Sequence, residues 1–135
     1  MGIEILRDSD LDSKLQKTFR HYLVGKFSEA SLKDDNIEVG VSHYKEFTVD
    51  KPHYHPDVTE YQLVLSGKSM LYDLKNQKQY VLTAGDFFIV RNNTHYVEKH
   101  KPNTRVLFFK NPGINDKILL PIDQKIKEWS DDEDF

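Results

Sequence analysis

From residue 37 to residue 110 the chain alternates apolar and polar positions with a period of two. Ile37, Val39 and Val41, and then Lys45, Phe47 and Val49, alternate with Glu38, Gly40, Ser42, Tyr44, Glu46 and Thr48. This is the pattern of a strand with one buried face. Further strand-like runs cover 60–66, 70–74, 79–82, 87–90, 95–99 and 106–110. Between them stand turn-forming residues: Ser66-Gly67-Lys68, Lys75-Asn76-Gln77, Ala84-Gly85-Asp86, Asn92-Asn93-Thr94 and Lys101-Pro102-Asn103-Thr104. About eight short strands with a turn every 8–12 residues predict a sandwich or barrel. No helix-length periodic segment interrupts them, which argues against a parallel α/β sheet.

The flanks read differently. Leu11, Leu15, Phe19 and Leu23 recur every four residues, with Tyr22 on the same face, so residues 1–36 are predicted as an N-terminal helical extension. After Asn111-Pro112-Gly113, the face shared by Ile118, Ile122, Ile126 and Trp129 predicts a C-terminal helix within 111–135. Asn115 and Asp116 ahead of Lys117 read as its N-cap, and the acidic end, 130–135, as a frayed tail. The three segments form one structural domain, as befits 135 residues.

Composition narrows the chemistry. There are no cysteines, which removes disulfides, thiolate nucleophiles and cysteine-held metals. The net charge is −3 and no basic stripe is visible, so a nucleic-acid partner is not expected. No apolar run approaches the length of a membrane span, and the first residues lack a basic, signal-like start. The expected setting is cytoplasmic, without a membrane partner.

Among the six histidines, His53 and His55 are two apart on a predicted strand and therefore share a face. Pro52 and Pro56 restrict the backbone around them. Glu60 lies at odd spacing from His55, but the turn at Pro56-Asp57 resets the parity and lets it face the histidines. Gln62 and Val64 then face inward as well. A fourth ligand has to come from elsewhere, and His95, opening a strand after a polar loop, is the best candidate. Three imidazoles and a carboxylate suit one divalent transition metal (Fe, Mn, Ni, Co, Cu or Zn) and leave one or two positions open. Arg91 near the expected barrel mouth is a candidate to bind substrate carboxylate or phosphate, equally a loop arginine; Gln62 and Tyr72 are further candidates for substrate contact. His21, His43 and His100 have no spacing partners and read as helix-face or exposed side chains. Phe87, Phe88, Phe108 and Phe109 read as core or pocket wall.

Residues 53–67 spell His-x-His-x4-Glu-x6-Gly, which resembles the first motif of the cupin superfamily. The stretch from Gly85-Asp86 to His95 resembles the second, with Arg91 at the usual proline, Asn93 at the usual glycine and His95 one residue early. The resemblance covers roughly 37–110 and implies an all-β, antiparallel jelly-roll barrel, here with flanking N- and C-terminal helices. It implies His53, His55, Glu60 and His95 on the metal, with Glu60 also a proton mover. Dioxygenases and sugar isomerases or epimerases are the activities it implies, acting on a small polar or sugar-like molecule, in a chain that pairs as a homodimer. The alternative is a non-catalytic module that binds or senses a small ligand.

Overall fold

The computed structural model of the chain describes residues 2–135, apart from the side chains at 13, 14, 16 and 17. Helix α1 covers Asp8–Lys17 and begins with Asp8 and Asp10 in its first turn, where carboxylates favour the helix dipole. It ends sooner than the four-residue spacing predicts. The chain from Arg20 to Gly25 is strand β1, paired antiparallel with β3, Glu38–Tyr44, in the register Arg20↔Ser42 and Tyr22↔Gly40. Aromatic and β-branched residues in Arg20-His21-Tyr22-Leu23-Val24 suit a strand, and the open edge of β3 supplies hydrogen bonds a solitary helical turn would lack. A short β2, Leu32–Lys33, lies parallel to β1.

The remaining strands are β4 (Thr48–Tyr54), β5 (Thr59–Ser66), β6 (Lys68–Asp73), β7 (Lys78–Thr83), β8 (Phe87–Val90), β9 (Tyr96–His100), β10 (Thr104–Asn111) and β11 (Ile118–Leu119). They form two sheets, a six-stranded one in the order β2-β1-β3-β10-β5-β8 and a five-stranded one in the order β11-β4-β9-β6-β7. The mostly-β architecture fits a jelly roll, although the described strands make two open sheets and not one closed ring. Leu71, Val90 and Tyr96 are buried together between the sheets, with Leu82 and Phe88 packed against them. Corners take the residues their geometry requires: Gly67 (φ 82°) joins β5 to β6, and Asn93 (φ 65°) takes the left-handed position in the loop before β9.

Helix α2, Gln124–Asp131, starts eight residues beyond the expected cap. Its N-cap is Asp123, whose carboxylate accepts the Ile126 N–H at 2.8 Å. The end of the chain is docked, not frayed. Lys99 donates to the carbonyls of Trp129 (2.6 Å) and Asp132 (2.7 Å), and the Phe135 ring lies near the ammonium groups of Lys99 and Lys101. Cations complement carbonyls at a helix C-terminus, so an acidic tail finds its partners on the sheet.

Candidate functional site

The strand β4 alternation sends His53 and His55 inward and Tyr54 outward. His53 is 1% exposed and His55 6%. Each imidazole is oriented from behind. His53 Nδ1 is 2.6 Å from the Lys51 carbonyl, which can only accept, so Nδ1 carries the proton and Nε2 the lone pair. His55 Nδ1 likewise donates to Asp116 Oδ1 at 2.7 Å. Asp116 is itself held by the N–H groups of Asp57 (2.8 Å) and Val58 (3.0 Å) on its other oxygen. Burial alone would raise the Asp116 carboxyl, but these donors and His55 hold it below the usual value. Asp116 is thus a positioning residue for His55 rather than the helix cap its sequence neighbours suggest.

The two rings stand perpendicular, centroids 5.1 Å apart. His55 Nε2 faces Glu60 Oε1 at 3.6 Å. Glu60 opens β5 facing inward, as the parity argument predicts, and Gln62 donates to its second oxygen at 2.9 Å. Burial pushes the Glu60 carboxyl up. His53 Nε2 accepts from the Tyr96 hydroxyl at 3.0 Å. The sheet register explains this contact, because Tyr96 is directly opposite His53 on β9.

His95 does not join this group. It precedes β9 on the opposite parity, and its ring stacks on the outward-facing Tyr54 with centroids 4.5 Å apart. Two other candidates also lie elsewhere. Tyr72 faces the outer side of the five-stranded sheet and meets the edge of Trp129 at 5.7 Å. Arg91 is exposed in the loop after β8. Of the four phenylalanines, Phe108 lines the cavity and Phe88 packs on the core, while Phe87 is 60% exposed. His21 and His100, expected on the surface, are buried.

A cavity of about 680 Å³ opens between the sheets, with His55, Glu60 and Gln62 in its wall. Most of its other lining is polar or charged, including Arg20, Ser42, Tyr44, Asp50 and Glu98. Arg20, Tyr96 and Asp116 escaped the sequence reading. None left a local signal: Tyr96 meets His53 only through the β4–β9 register, which alternation along the chain does not set.

Among the described residues no three His, Cys, Asp or Glu side chains gather round one point as a metal centre. The chemistry of the set nevertheless fits a divalent ion. Each imidazole is fixed through Nδ1 by an outer acceptor in the manner of metal-bound histidines, which turns Nε2 to the other side, and a buried carboxylate lies near Nε2 of His55.

Residues 40–108 match the cupin domain family, and the chain belongs to that family. A comparison with curated proteins finds no match. Solved structures share the fold at low identity. KdgF from Halomonas sp. superposes with a TM-score of 0.55 at 18% identity, covering 62% of this chain and 74% of that one. DMSP lyase DddQ from Ruegeria pomeroyi gives 0.59 at 16%, covering 74% and 50%. Streptomyces PAC13, described as a nucleoside dehydratase and solved with uridine, gives 0.57 at 16%, covering 70% and 76%. No helix among the described residues is long and apolar enough to cross a membrane.

Proposed function

We propose that this cupin is a metal-dependent enzyme that transforms a small polar, sugar-like molecule by isomerisation or epimerisation. One observation carries the reading: His53 and His55 each give the Nδ1 proton to a partner behind the ring, which leaves Nε2 as the nitrogen for an ion on both, and that of His55 faces Glu60. His53, His55 and Glu60 would hold one divalent transition metal, with Tyr96 in the place first given to His95. When bound, the ion supplies Lewis-acid polarisation of a substrate carbonyl or hydroxyl. Gln62 fixes one oxygen of Glu60, which leaves Oε1 on the His55 side to take or return a proton. The polar wall supports a sugar-like substrate over the phenolic one that dioxygenase chemistry would favour. Uridine, bound by the fold neighbour PAC13, is a small polar molecule of this kind.

Elemental analysis of protein purified without added metal tests the reading on wild type and His55→Ala. About one metal per chain, lost in the variant, is the expected result. A second reading rests on the Tyr96–His53 hydrogen bond, which occupies the lone pair a metal would use. If no metal binds after reconstitution, the His55–Asp116 pair acts as a general base in a metal-free site. If no sugar-like substrate is turned over in either form, the barrel is a binding module.

The chain also has an apolar outer sheet face. Leu65, Phe87 and Ile89 are 46%, 60% and 39% exposed on the outer side of β5 and β8. We propose that this face pairs two copies in a homodimer. Sedimentation of wild type against Phe87→Asp tests it, with a dimer expected to become a monomer.

A further inference from the structure

We propose that Arg20 is the anion anchor of the cavity and grips a carboxylate of the bound molecule. This rests on the reading of the cavity as a small-molecule site and names the class of molecule it takes. Arg20 lies outside the stretch that matches the cupin domain, residues 40–108. It reaches the cavity because β1 adds to the edge of β3, opposite Ser42.

The guanidinium is positioned on several sides. Nε donates to Ser42 Oγ at 2.9 Å. The group lies over the Phe19 and Phe108 rings, 4.9 and 5.2 Å from their centroids. Tyr22 and Tyr44 line the same cavity wall. Gly40 permits this packing, because a Cβ there would stand 2.3 Å from the Phe108 ring.

Two other basic groups of the wall, Lys110 and Lys117, have acidic partners. Lys110 is 3.6 Å from Glu38, and Lys117 is 2.7 Å from Asp50. Among the described residues no carboxylate lies within 4.0 Å of Arg20. Asp50, Glu60 and Glu98 line the same cavity and feel its charge, but none is in ion-pair contact with it, so that contact is left to a bound anion. A planar, rigid fork with aromatic backing and neighbouring hydroxyls is the chemistry that binds a carboxylate. The cavity supplies the room, and His55 and Glu60 in the same wall would meet the far end of the molecule.

The test is thermal unfolding of full-length protein in sodium acetate against sodium chloride at equal ionic strength. Wild type, Arg20→Gln, Arg20→Lys and His55→Ala are compared, with metal content measured on each sample. Acetate is expected to raise the wild-type midpoint by about 4 °C over chloride. Arg20→Gln should lose that increment, Arg20→Lys should keep less than half of it, and His55→Ala should keep it all. Arg20→Lys also serves if the glutamine variant fails to fold. An equal increment in wild type and the Arg20 variants, or none in wild type, overturns the anchor. An increment lost in His55→Ala also overturns it, because acetate would then sit on the histidine side. Metal-free wild type with the full acetate response would remove the metal reading and leave the anchor standing.

Discussion

The inner wall treats buried histidines in two opposite ways. At one end, His53 and His55 each give the Nδ1 proton to an acceptor behind them, and their Nε2 atoms meet Tyr96 and Glu60. At the other end, His100 is fixed just as firmly, by Ser69 at 2.7 Å and by a parallel stack on Tyr44 at 3.9 Å. Its Nε2 and Glu98 Oε2, however, face each other at 3.9 Å, and neither has a hydrogen-bond partner. Orientation from behind makes a lone pair available for chemistry. Burial without a partner makes a group that resists its charge.

The largest expected effect comes from that second end. Burial lowers the His100 pKa from 6.5 to about 4. Between those values the unfolded chain takes up a proton that the folded one refuses. The imidazole's contribution to stability is therefore full above pH 6.5 and is lost, by about 3 kcal/mol, as the pH drops to about 4. Glu98 works the other way, since burial raises its carboxyl and its share is lost as the pH rises. Urea unfolding of wild type and His100→Gln across pH 4–7 isolates the imidazole, and the acid loss should shrink in the variant.

At the first end, Asp116→Asn keeps the shape but weakens the acceptor behind His55. Metal affinity, read by competition with a chelator, should fall roughly 10–100-fold, or about 1.4–2.7 kcal/mol. An unchanged affinity would separate His55 from metal binding. Tyr96→Phe then leaves the His53 lone pair buried and bare. Unfolding of the metal-free variant should show a loss of about 1–2 kcal/mol. The smallest effect is predicted for His95→Ala, with stability within about 0.5 kcal/mol and metal content unchanged. Loss of metal there would break the distinction between Tyr96 and His95.

Several of these features were legible in the chain. The period-two alternation is enough for an antiparallel, mostly-β fold, because each strand must bury one face. His53 and His55 share a face by strand geometry alone, and Glu60 joins them once the Pro56 turn resets the parity. These are local facts, fixed by one or two turns of chain. The helical spacing through Leu23 misleads because a weak local preference yields to the open edge of β3.

Tertiary structure decided the rest. Tyr96 stands at the histidines because β9 pairs with β4 in one register, and a shift of one residue would have presented His95 instead. Asp116 is 61 residues from His55 in sequence. Arg20 enters the cavity only because β1 adds to a sheet whose other strands lie beyond it in the chain. The sequence by itself determined the strands and which side chains share a face. Which faces meet was settled by pairing between distant strands, where hydrogen-bond register and burial act together and no local pattern records the outcome.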